Sequence, residues 1–178
     1  GQSRMASFGF TYQLSDTAVI SDIVPVLGGR MGGTRITISG SGFVPLGQIV
    51  TIGQSACDII SETTTSIVCD TNSHPTSSKE DVVVEITSSG FAARDPNAPA
   101  SFTGKFWYID RWSSIFTWGC TETPCENKPV DYDIAVIPAG VTVLLDESTP
   151  LLSVLLVQGG TLLWDRSSGI KLRAQYVL

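Results

Sequence analysis

Short apolar runs that alternate with polar residues recur along the first two thirds of the chain. In "TRITISG" (34–40), Ile36 and Ile38 point one way while Arg35, Thr37 and Ser39 point the other, the period-two pattern of a half-buried strand. "AVISDIVPV" (18–26) reads as a strand before it. "QIVTIG" (48–53), "ACDII" (56–60), "TSIVCD" (65–70) and "DVVVEITSS" (81–89) follow after it, with Gly, Pro, Ser and Asn turns between them. The aromatic run "GKFWYID" (104–110) closes the series, and its alternation sends Trp107 to the face opposite Phe106 and Tyr108. Short strands at this spacing predict a β-sandwich. The aperiodic segment 88–104, rich in Pro, Ala and Ser, reads as a long exposed loop before the last strand.

Beyond Asp110 the pattern changes. A loop-rich connector carrying Trp112 and Trp118 leads to apolar stretches that resemble one another. "IAVIPAG" (134–140) aligns with "VLLVQGG" (154–160) at an offset of twenty, and "VTVLLD" (141–146) with "GTLLWD" (160–165) at an offset of nineteen. "IKLRAQYVL" (170–178) opens a third copy. A constant offset with two strands per copy predicts successive coils of a β-solenoid, with a β-meander as the competing arrangement.

Composition agrees with an all-β chain. Charged residues make up 16 %, and helix-favouring periodicity is nearly absent. The net charge of −6, with eleven scattered Lys and Arg, argues against a nucleic-acid partner, which would want basic residues gathered on one face. Every apolar run is broken within a few residues by Ser, Gly or Asp, well short of a membrane-spanning helix.

The glycine-rich stretch "GGRMGGTRITISGSGF" (28–43) is the first candidate for chemistry, since such loops cradle phosphate. Gly28 and Gly33 have the spacing of a phosphate loop, but Thr34 and Arg35 stand where Lys and Ser or Thr are needed, and a strand follows instead of a helix. Gly40 and Gly42 fail the dinucleotide fingerprint at Pro45. The glycines therefore mark turns into and out of a strand. His74, the single histidine, lies in the polar tract "TNSHPTSSKE" and reads as a solvated loop residue, not a catalytic base. Asp131, Asp133, Asp146 and Glu147 are acidic enough for a glycosidase pair or a calcium site, but no established spacing supports either, and turn capping is the expected role. We expect no catalytic, cofactor-binding or metal-ligating residues.

Cys57, Cys69, Cys120 and Cys125 allow three pairings, and their spacing favours two local bridges, twelve and five residues in separation. Zinc would want C-x2-C knuckles or more histidine. Two bridges place the chain in an oxidising, extracellular compartment. Trp112 and Trp118 are expected at an interface between the two halves; exposed, they would instead stack on sugar rings.

The stretch "ISDIVPVLGGRMGGTRITISGSGFV" resembles the opening of an IPT/TIG domain, an immunoglobulin-like sandwich, through Pro25, Gly32, Gly33, Thr34, Ile36, Ile38, Gly40, Gly42 and Phe43. The likeness covers 18–110, and it implies that Cys57 and Cys69 pair across neighbouring strands, as in many extracellular members. Residues 1–17, through "FGFTY", resemble the end of a preceding copy or a linker. Residues 111–178 resemble the first part of a G8 domain through Asp133, Ile137, Pro138, Gly140, the run Val143–Asp146, Thr149, Pro150, Leu155, Gly159 and Gly160.

An IPT/TIG domain running into G8 is similar to the fibrocystin family. The resemblance implies a segment of a very large single-pass cell-surface, receptor-like protein, associated with cilia or a stereocilia coat. Its role would be structural and adhesive rather than enzymatic, with neighbouring IPT and G8 segments of the same chain and an extracellular protein or glycan as partners. The alternative it implies is binding of a hyaluronan-like glycan within a glycan-processing ectodomain. The short segment between Asp110 and Trp118 predicts a stiff junction, and the last coil should present a sticky edge.

Overall fold

A computed structural model describes residues 17–166 and 169–178. The expected tail of a preceding copy, 1–17, lies outside the described residues apart from Thr17. Sixteen strands lie among the described residues, and they form two bodies.

The first body is one ladder of ten strands: β1 (Val19–Val24), β2 (Leu27–Gly28), β3 (Arg35–Ser41), β4 (Gln48–Ile52), β5 (Ser55–Glu62), β6 (Ser66–Thr71), β7 (Lys79–Ile86), β8 (Gly90–Phe91), β9 (Ala93–Arg94) and β10 (Lys105–Tyr108). Their order is β2-β10-β7-β4-β5-β6-β3-β1-β9, with β8 beside β7. The ladder curls until its inward residues meet. Ile20 and Ile23 from one end share a single core with Val82, Val84, Phe106 and Tyr108 from the other. The alternation in β3 holds: Ile36 and Ile38 are fully buried and Arg35 is exposed.

The run 18–26 is two strands in place of one. β1 pairs with β3, β2 pairs with β10, and Pro25 between them supplies no N–H to either ladder. Gly40 pairs opposite Ile20 in that edge, and a side chain there would strike the Val19 carbonyl oxygen. Cys57 on β5 and Cys69 on β6 are joined, with Cα atoms 5.5 Å apart, and closing that loop contributes about 3 kcal/mol by chain entropy.

Residues 88–104 are mostly exposed, as expected, but they are tied to the sandwich. β9 adds a parallel rung to β1, Phe102 is buried in the core, and Arg94 sits over the Phe102 ring at 5.4 Å. Sparse apolar residues hide such a segment from periodicity, because two-residue strands have no period to read.

The second body comprises β11 (Asp110–Arg111), β12 (Ile134–Pro138), β13 (Thr142–Leu145), β14 (Leu152–Gln158), β15 (Thr161–Trp164) and β16 (Ala174–Val177). They make two parallel sheets, β11-β13-β15 and β12-β14-β16. Ile134 opposes Val154, twenty residues on, and Thr142 opposes Thr161, nineteen on. The sequence offsets are thus the coil length of a parallel solenoid, and a meander, whose neighbours run antiparallel, is excluded. Between the sheets lie Ala135, Ile137, Val143, Leu145, Leu152 and Leu155, closed at one end by Trp112.

Candidate functional site at the junction

The two bodies meet with almost no linker. β10 ends at Tyr108 and β11 starts at Asp110, so Ile109 alone separates a strand of the sandwich from a strand of the solenoid. Ile109 is fully buried, and its N–H donates to the Gly28 carbonyl at 2.8 Å.

Asp110 sits beside it with its side chain only 3 % exposed. A carboxylate so placed must be neutralised or fully bonded. Arg30, in the loop after β2, does both: its backbone N–H donates to Asp110 Oδ1 at 3.2 Å and its Nε–H to Oδ2 at 3.1 Å. The glycine-rich loop therefore holds a carboxylate of its own chain, not phosphate.

His74 corrects the sequence reading. Its exposure is 9 %, its ring stacks on Tyr108 with centroids 4.7 Å apart, and its backbone N–H donates to the Arg30 carbonyl at 2.8 Å. The ring atom Nδ1 lies 2.7 Å from the Thr76 carbonyl oxygen, and Nε2 lies 3.8 Å from Glu80 Oε1. Ser78 donates its hydroxyl to the same Glu80 oxygen at 2.6 Å. Burial pushes the Tyr108 hydroxyl up to about 12, with the Glu80 carboxylate adding to the effect and the Ser55 hydroxyl opposing it.

The His74 loop reaches the solenoid as well. Ser77 N–H donates to the Gly140 carbonyl at 3.1 Å, and the Ser77 hydroxyl accepts from Thr142 N–H at 2.9 Å. Two contacts thus cross the junction, one through Arg30 and one through Ser77. A cleft of about 280 Å³ opens beside the first, bordered by Gly28, Met31, Gly33, Arg111 and Phe116.

The two tryptophans do not bridge the bodies. Trp112 is fully buried in the solenoid core, and Trp118 packs edge-on against it at 4.8 Å with its indole N–H on the Trp112 carbonyl. A ring enclosed on all sides offers no face for a sugar, so Trp112 cannot serve as a stacking platform. Both rings close the end of the first coil, a role the connector's length concealed.

Cys120 and Cys125 are joined in the loop that follows. Of the acidic residues expected to cap turns, Asp133 caps a local one, while Asp131 and Asp146 bond backbone far along the chain. Asp131 accepts from Leu151 N–H at 2.7 Å, Asp133 from Val130 N–H at 2.9 Å, and Asp146 from Ser113 through both N–H and hydroxyl. Glu147 pairs with Lys128 at 2.7 Å. Among the described residues, no three His, Cys, Asp or Glu side chains gather as a metal site would require.

Sequence reasoning missed Arg30 and Asp110. The signal was partial: Arg30 is a lone charge inside a glycine run, Asp110 with Arg111 interrupts an aromatic run, and a charge in an apolar setting implies a partner.

Comparison with known proteins places these bodies. The IPT/TIG domain family profile matches residues 18–103, and the G8 domain profile matches 117–178. Fibrocystin-L of Homo sapiens is 40 % identical over 171 residues, 95 % of this chain and 4 % of that protein. Fibrocystin of Canis lupus familiaris is 32 % identical over 129 residues, 72 % of this chain and 3 % of that one. Among solved structures, the plexin A4 extracellular region aligns with a TM-score of 0.42 at 23 % identity, over 52 % of this chain and 8 % of that one. With an immunoglobulin-like sandwich running into the first coils of a β-solenoid, the chain belongs to the fibrocystin family, as an IPT/TIG domain followed by a G8 domain.

Proposed function

We propose that this chain is a non-catalytic extracellular module that gives length and fixed direction to a large, single-pass, receptor-like cell-surface protein of cilia or a stereocilia coat. The observation that carries the reading is the junction. One buried residue links the two bodies, and bonds from Arg30 and Ser77 cross the junction. A hinge needs residues free to change backbone angles, and a strand-to-strand continuation with a buried ion pair has few. The disulfides support an oxidising compartment. Its partners would be neighbouring IPT and G8 segments and a further extracellular protein or glycan.

Spin labels at Ile60 on β5 and Thr161 on β15, both exposed, test this through their distance distribution. The spacer reading expects one narrow peak. A broad distribution would mean that the bodies swing, and the module would not set a direction.

A further inference from the structure

The described tyrosines differ sharply in their surroundings. Tyr108 is fully buried, whereas Tyr132 and Tyr176 are each 65 % exposed. Tyr176 lies in β16 between Gln175 and Val177, with no acidic neighbour along the chain. Tyr132 stands between Asp131 and Asp133, both of them exposed. It is the third residue of a turn closed by the Asp133 N–H on the Val130 carbonyl at 3.2 Å, and its φ of 71° is left-handed. Glycine takes that conformation freely and tyrosine does not, so the backbone gives no reason for a tyrosine here. The Tyr132 N–H donates to the Leu151 carbonyl at 2.6 Å, and the Ser153 hydroxyl donates to the Tyr132 carbonyl at 2.5 Å. The turn is thus fastened to the start of β14 while the phenol stays in solvent. Asp131 spends one oxygen on the Leu151 N–H and Asp133 one on the Val130 N–H. Among the described residues, no Lys, Arg or His pairs with either carboxylate, and Lys128, the nearest base along the chain, is held by Glu147.

We infer that Tyr132 is an acceptor for O-sulfation on the secretory route. The inference goes beyond the spacer reading but rests on its extracellular placement, because sulfation of tyrosine belongs to exported chains. The Tyr132 phenol oxygen attacks the sulfur of a phosphosulfate donor. The bond from sulfur to the donor's phosphate oxygen breaks, an aryl sulfate ester forms, the phenolic proton passes to a base of the transferase, and the nucleotide phosphate leaves. No electron changes hands. A transferase that binds a polyanionic donor carries a basic site, and an exposed phenol between two unpaired carboxylates is complementary to it. Tyr108 is excluded by burial and Tyr176 by the lack of flanking charge. The product replaces a neutral phenol with a fixed anion, which makes this turn a concentrated negative point on the solenoid.

Incubating the folded, fully oxidised 178-residue chain with a tyrosine sulfotransferase of the secretory pathway and a radiolabelled phosphosulfate donor tests the assignment. Label should appear on the peptide that holds Tyr132. Tyr132→Phe should abolish it, and Tyr176→Phe should leave it unchanged. Asp131→Asn and Asp133→Asn keep an oxygen for the Leu151 and Val130 N–H groups and remove only charge. With the fold checked by circular dichroism, each should lower kcat/KM about tenfold. Absence of label on Tyr132 overturns the proposal, as does label that both asparagine variants take up at the unaltered rate. Free thiols in the native protein would overturn the extracellular reading and this proposal with it, whereas an oxidised chain that takes no label overturns the sulfation alone.

Discussion

Asp110 carries more of the junction than its size suggests, because its carboxylate is desolvated and depends on donors from one residue. Removing Arg30 leaves that charge buried with part of its bonding gone. Arg30→Ala should cost about 3 kcal/mol in chemical denaturation, while Arg30→Ala with Asp110→Asn should recover part of the loss. Tyr108 gives a second handle. Its hydroxyl is held up to about 12, above the usual value of 10, so the fold favours the neutral form. Below pH 10 the folded and unfolded chains both keep the proton and the contribution is whole; it is lost as pH rises from 10 through 12. Absorbance of tyrosinate should show one late-titrating tyrosine that Tyr108→Phe removes. A titration unchanged by that variant would contradict the burial. The sequence hinted that Asp110 needs a partner but not which one, since Arg30 and the His74 loop that close over Asp110 and Tyr108 lie far along the chain. Local polarity around His74 pointed the other way.

At the scale of elements, the sequence was most readable where one period runs undisturbed. β3, β4, β6 and β7 alternate cleanly, and the offsets of twenty and nineteen appear unchanged as strand registers. Legibility fell where pairing depends on geometry: the change of partner at Pro25, the two-residue rungs β8 and β9, and the packing of Trp112 inside a coil. The glycine motif illustrates both. Its spacing marked turns around a strand, yet the reason for Gly40, close approach of β1, is tertiary. Gly40→Ala must push β1 away from β3 and should cost about 3 kcal/mol, read as a lowered denaturation midpoint. An unchanged midpoint would mean that β1 is not held at that distance.

Considered whole, the molecule is two cores joined by continuous β structure. A sandwich closes on itself, but a solenoid grows by adding coils, and the junction orients that growth relative to the sandwich. The Arg30–Asp110 pair and the Ser77 contacts both cross the junction, so loosening one should leave the other in place. Backbone ¹⁵N relaxation on a dilute sample measures this directly, because each amide reports the tumbling of the body that carries it. A rigid junction predicts a single rotational correlation time, shared by amides of β3 to β7 and of β12 to β16 and appropriate to the whole chain. Two shorter, unequal times would show that the bodies tumble apart, and would contradict the account of this module as a directional spacer.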